Sequence, residues 1–123
     1  MQALTRTLCL LAAAAAAAAA PTPAPVRAEL EALFAELKTR ACRMDRNGSW
    51  HSADEARAHV LRKLAYLEER TTLSQTEQVI EQAASKSSSS GKPYQVQCGQ
   101  APAQPARDWL LSTLAQQRRA AGR

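Results

Sequence analysis

CRMDRNG, residues 42–48, alternates Cys42, Met44 and Arg46 with Arg43 and Asp45, then ends in Asn47-Gly48. Period-two alternation marks a half-buried strand. Asn-Gly is a strong turn signal, because both residues tolerate positive φ. A second piece, Tyr94-Gln95-Val96-Gln97-Cys98, alternates in the same way. Antiparallel pairing that sets Cys42 opposite Cys98 places Met44 opposite Val96 and Arg46 opposite Tyr94. All three pairs then share one face. The expectation is a small two-stranded antiparallel ribbon with Arg46 and Tyr94 side by side at one end.

Around the ribbon, four segments carry a helical period. Leu30, Leu33, Phe34, Leu37 and Ala41 recur at three- and four-residue steps and give the first helix one apolar face. Ala56, Val60, Leu64 and Leu67, with Leu61 beside them, predict a second helix over about 53–70. Ser74 is expected to open a third, whose Val79, Ile80 and Ala83 face inward. Pro105 suits the first turn of a fourth, where its missing N–H costs nothing, and Trp109, Leu110 and Leu114 supply its stripe. Ser52-Ala53-Asp54-Glu55 has the S-x-x-E form of a capping box, and Ser74-Gln75-Thr76-Glu77 repeats it. The fold expected is mostly α with a small two-stranded β ribbon, in one disulfide-stapled domain.

Upstream, Met1 to Thr7 carries one cation, Arg6, and Leu8 to Ala20 is an unbroken apolar run that includes nine alanines before "PTPAP". That order is the order of a secretory signal peptide. Thirteen apolar residues fall short of the roughly 20 that span a bilayer, so no permanent membrane anchor is expected. Cleavage is expected between Ala20 and Ala28, with Ala28 favoured, and export to the periplasm follows. Cys9 would leave with the signal. Removing 28 of the 123 residues leaves 95, with Cys42 and Cys98 as the remaining cysteines. A domain that small often needs a covalent aid, and an oxidising compartment permits one. A Cys42–Cys98 bond would add about 4 kcal/mol in the chain-entropy account; the alternative is two inert buried thiols.

Charge excludes more than it suggests. Without Arg6 and Arg27, 14 of the 16 basic residues remain against 11 acidic ones, a net +3. This is ordinary for a soluble domain, and no basic stripe interleaved with aromatics points to nucleic acid. Arg118, Arg119 and Arg123 in residues 117–123 read as a frayed, basic C-terminal tail beyond a domain spanning 29–116.

The chain's two histidines, His51 and His59, flank Glu55 at four-residue steps. On one helix His51 and His59 would lie about 12 Å apart along the axis, whereas zinc ligands sit about 2 Å from the ion. Glu55 is moreover claimed by the cap at Ser52. These are read as surface or interface histidines flanking a helix start, and neither a metal nor another cofactor is expected. Ser89-Ser90-Gly91-Lys92 fits S-x-x-K only in letters, since Gly91 and Pro93 break the helix that this chemistry needs. The run 87–91 reads as a helix exit and loop. Trp50 and Tyr94 are expected to be buried aromatics.

"RNGSWHSADEARAHVLRKL", residues 46–64, followed by "SQTEQVIEQAASKSSSSGKPYQV", residues 74–96, resembles the YfeK-like family of exported bacterial proteins. The resemblance runs over about residues 30–98. It implies a bacterial periplasmic protein of about this size and supplies no activity or catalytic residues. The function expected is that of a non-catalytic periplasmic accessory or binding protein, whose partner is a periplasmic protein or a cell-envelope glycan. Its binding patch is placed at Arg46, Tyr94 and His59 beside the serine-rich loop. The alternative is a small hydrolase or metal-dependent enzyme using Glu55 and His59.

Overall fold

The structure is a computed structural model that describes residues 2–3 and 20–123. Met1 and residues 4–19, which carry most of the expected signal peptide and Cys9, lie outside the described residues.

Three of the four helices pack on one face of a four-stranded antiparallel sheet, and the third in chain order packs against the other helices. In chain order the elements are α1 (Ala24–Thr39), β1 (Cys42–Arg46), β2 (Ser49–His51), α2 (Ala53–Glu68), α3 (Thr76–Ala83), β3 (Gln95–Cys98), β4 (Gln104–Pro105) and α4 (Ala106–Ala120). The sheet order is β2-β1-β3-β4. Cys42 pairs with Cys98 and Met44 with Val96, in the register expected from the alternation. Cys42, Met44 and Val96 are buried under the helices, while Arg43 and Gln95 face outward. One solvated face is what an antiparallel sheet tolerates.

Two strands were not foreseen. Asn47 (φ 55°) and Gly48 (φ 86°) turn the chain so that Arg46 meets Ser49, and β2 zips back along β1. Both central residues with positive φ are what a tight two-residue hairpin requires. On the other edge Gln104-Pro105 pairs with Gln95 and Val96. Pro105 therefore ends a strand and precedes α4, instead of lying in the helix's first turn. A proline at an edge strand removes no ladder bond that the sheet needs.

Cys42 and Cys98 are joined by a disulfide across 56 residues. It ties β1 to β3 under α1, so one covalent link holds the two inner strands.

The helices follow their stripes, with differences at the ends. Leu30, Leu33, Phe34 and Leu37 of α1 are buried; so are Ala56, Val60 and Leu64 of α2, and Val79, Ile80 and Ala83 of α3. Ala41 leaves the α1 stripe: it is exposed with φ 53°, reversing the chain into β1. Upstream, α1 starts at Ala24, and Val26 joins the core. Ser52 caps α2, its Oγ accepting the Glu55 N–H at 3.2 Å. The second box is displaced by one residue. α3 begins at Thr76, and Gln78 in place of Glu77 reaches back, its Oε1 accepting the N–H groups of Ser74 (2.9 Å) and Gln75 (3.2 Å).

Glu77 is engaged elsewhere, which explains the C-terminal end. α4 continues to Ala120, and Arg118 donates to Glu77 (2.6 Å) and, through two nitrogens, to Glu29 of α1 (2.9 and 3.0 Å). Arg123 adds a bond to Glu29 at 3.1 Å, and Thr76 donates to it at 2.6 Å. The expected frayed tail is thus packed on α1 and α3. The Arg118 hydrogen bonds, followed by that of Thr76, hold the Glu29 carboxyl down at about 2.

Candidate functional site

α2 sets one side of the site. His59 and Lys63 are four residues apart, so their side chains leave the helix one above the other. They face the loop 85–94, which is closed at its base. Lys86 bridges to Pro93, the Ser87 N–H donates to the Lys92 carbonyl (3.0 Å), and the Tyr94 N–H donates to the Ser85 carbonyl (2.9 Å). Within it, Ser87 is buried and its Oγ accepts from the Asn47 amide at 3.1 Å, while Ser90 Oγ donates to Asn47 Oδ1 at 2.6 Å. The turn that Asn47-Gly48 announces in the sequence therefore also clamps the serine loop.

Between these walls runs a chain of hydrogen bonds. Arg46 Nη1 lies 2.6 Å from His59 Nδ1, His59 Nε2 lies 3.0 Å from the Tyr94 hydroxyl, and Lys63 Nζ donates to that hydroxyl (3.2 Å) and to the Lys86 carbonyl (2.9 Å). A guanidinium has only donors, so Nδ1 must accept and Nε2 carries the ring proton. The Tyr94 oxygen then receives both His59 and Lys63. Its own O–H is left over, free to donate.

Arg46 and Tyr94 are close, as anticipated, but not as a strand pair. The β1–β3 ladder stops at Asp45 and Gln95, and His59 stands between guanidinium and phenol. The cation over the Tyr94 ring is Lys63, 5.1 Å from its centroid. Tyr94 is 2% exposed, whereas Trp50, expected to be buried, is 39% exposed on the outer sheet face with Arg43 over its ring.

Electrostatics follow from this crowding. Burial, then the positive charges of Arg46, Lys63 and Arg62, push the His59 ring down to about 4, so it is neutral at physiological pH. Burial and Arg46 lower Lys63, and burial raises Tyr94. Arg46 Nε is buried with no partner among the described residues. The cavity, about 380 Å³, is lined by Arg46, Asn47, His59, Lys63, Ser87–Ser89 and Tyr94. A second hollow of about 400 Å³ shares His59, Lys63 and Ser88 with it and continues along α2 past Arg62, Tyr66 and Leu67.

His51 is not part of this site. It pairs with Glu55 (3.0 Å), whose other oxygen accepts from the Ser52 hydroxyl (3.2 Å). Among the described residues Glu55 and His59 share no hydrogen bond, and no group of three His, Cys, Asp or Glu side chains is placed to hold a metal ion. Lys63 and Arg62 were missed from the sequence. The signal available was the four-residue step from His59 to Lys63.

A protein family is matched over residues 24–118, from the first turn of α1 into the last turn of α4. Its description is "family of unknown function (DUF5329)". The chain belongs to that family. The match covers the α4 helix, which the sequence resemblance did not reach, and it carries the DUF5329 description instead of the YfeK-like name. No curated protein and no solved structure matches the chain. Among the described residues no helix is long and apolar enough to cross a membrane.

Proposed function

We propose that this DUF5329 chain is a non-catalytic binding protein, that it works in the bacterial periplasm, the location which the YfeK-like resemblance implies, and that it takes a fragment of a cell-envelope glycan in the groove between α2 and the serine loop. The observation that carries this reading is the Arg46–His59–Tyr94–Lys63 hydrogen-bond chain along one open cavity. Rigid loops tied to a sheet are a common way to present a binding patch.

Binding is favoured over catalysis by what occupies His59. A general base needs a free lone pair and a pKa near working pH. His59 has neither, since Arg46 donates to Nδ1 and the ring is pushed to about 4. Glu55, the other catalytic candidate, is committed to His51 and the α2 cap.

Export is supported by the charge-then-apolar N-terminus and by the disulfide, which persists in oxidising compartments. Cleavage at the early end of the Ala20–Ala28 window keeps α1 whole. Cleavage after Ala28 would remove its first turn and buried Val26. The mass of the exported protein decides between them.

The binding reading is tested by immobilising wild type, Arg46→Ala and Tyr94→Ala proteins and measuring retention of defined envelope-glycan fragments. The expected result is retention by wild type and loss in both variants with the fold intact by circular dichroism. Equal retention by all three proteins would remove the groove as the binding surface.

A further inference from the structure

Among the described residues eight of the fifteen Lys and Arg side chains are ion-paired, for example Arg27 with Glu68, Arg57 with Glu31, Arg107 with Glu81, and Arg118 with Glu29 and Glu77. Three of the seven that are not line one groove. Among the described residues Arg46, Arg62 and Lys63 make no ion pair, and no carboxylate lines either hollow.

Half-buried charge without a counter-ion costs free energy, because lost hydration is not replaced. The free hydrogens agree in kind. The Tyr94 O–H is unused once its oxygen receives His59 and Lys63. The Ser88 hydroxyl opens on both hollows and has no partner among the described residues. The site therefore offers positive charge and donors with no carboxylate, and its acceptor oxygens are the neutral ones of Asn47, Gln82 and the serine hydroxyls. It is complementary to a group that has only acceptors and negative charge.

Charge number separates the two common oxyanions. With His59 neutral, the inner hollow holds two cations, Arg46 and Lys63. A carboxylate would leave one of them unneutralised. A phosphomonoester carries about −1.5 to −2 and three acceptor oxygens at neutral pH. Beyond Lys63 and Ser88 the second hollow changes character: Tyr66, 59% exposed with Arg70 stacked on its ring, and Leu67 form a surface on which a sugar face can rest.

Resting on the binding reading above, we propose that the ligand is a phosphorylated saccharide, its phosphate seated among Arg46, Lys63, Tyr94 and Ser88 and its ring over Tyr66 and Leu67. No bond is made or broken; the phosphate supplies the missing counter-charge. An anion beside His59 would also raise the pKa of that ring. The charged and titratable groups facing it are Arg46 from β1, Arg62 and Lys63 from α2, His51 from β2 and Tyr94 ahead of β3.

The test follows backbone amide and histidine ring signals by NMR at constant ionic strength. Glucose 6-phosphate, inorganic phosphate, glucuronate and glucose are titrated into the full exported protein. Glucose 6-phosphate is expected to move the signals of residues 87–89 and raise the His59 ring pKa above its ligand-free value. Inorganic phosphate should act at the same residues more weakly, and glucuronate should bind roughly tenfold or more worse than glucose 6-phosphate. Lys63→Met, checked for an unchanged melting curve, should weaken glucose 6-phosphate by roughly tenfold or more.

Equal binding of glucuronate, or the same affinity in Lys63→Met, overturns the phosphate assignment. So does capture by phosphatidic acid vesicles without any response to glucose 6-phosphate, which would make the partner a lipid headgroup. If glycan fragments are retained through Arg46 and Tyr94 while phosphates leave the groove unmoved, the ligand class falls and the binding surface stands. If neither occurs, both fall.

Discussion

Replacing Glu29 by Gln removes one negative charge from the point where α1, α3 and α4 meet, while keeping an oxygen for the Thr76 hydroxyl. In the wild type that carboxylate receives Thr76, two nitrogens of Arg118 and one of Arg123. Its fall from 4.5 to about 2 corresponds to at most about 3 kcal/mol of differential stabilisation. The Glu29 side chain is 11% exposed, but Arg118 and Arg123 are 34% and 53% exposed, so solvent screens the interaction. Discounted for that screening, the expected loss at pH 7 is about 1–2 kcal/mol.

The sign with pH follows from the depressed folded-state value. The stabilisation is complete above about 4.5 and disappears as pH falls through about 2. Urea unfolding of both proteins at pH 7, 4.5, 3 and 2 should show the curves separated at the two higher values and converging below. High salt at pH 7 should also narrow the gap. A loss under about 0.3 kcal/mol at pH 7, or a gap that stays constant down to pH 2, would refute the argument that Glu29 charge holds α4 in place.

Thiol labelling of denatured, unreduced protein should find neither Cys42 nor Cys98 free. Reduction should cost about 4 kcal/mol on the chain-entropy estimate for a loop of 56 residues. Ser52→Ala should destabilise by about 0.5–2 kcal/mol in the same unfolding assay, since the Glu55 N–H loses its acceptor. His59→Gln should flatten the stability profile between pH 6.5 and about 4: the native ring titrates well below the unfolded one, so wild-type stability declines as pH falls through that window. A wild type and variant that keep parallel profiles there would mean that the ring is not held neutral.

Local rules in the sequence were enough for the helical stripes, the Ser52 cap, the Asn47-Gly48 turn and the register of β1 on β3. Each depends on residues within about one turn of one another or on strict alternation, which short-range sterics and burial enforce. The two short edge strands were not legible, because Ser49–His51 and Gln104-Pro105 carry no alternation and are strands only by virtue of the partner beside them. The end of α4 was misread for a related reason. Nothing near Arg118 announces Glu29, 89 residues away in the chain.

The site divides the same way. Arg46, His59, Tyr94 and the loop after Ser87 were visible as polar residues at ordered positions. That His59 stands between Arg46 and Tyr94, that Lys63 completes the set, that His51 turns to Glu55, and that no carboxylate enters the groove were decided only by tertiary structure. Hydrogen bonds and charge pairing act through space at about 3 Å, and the chain brings α2, the β1–β2 turn and the 85–94 loop to that distance only after the core beneath them has packed.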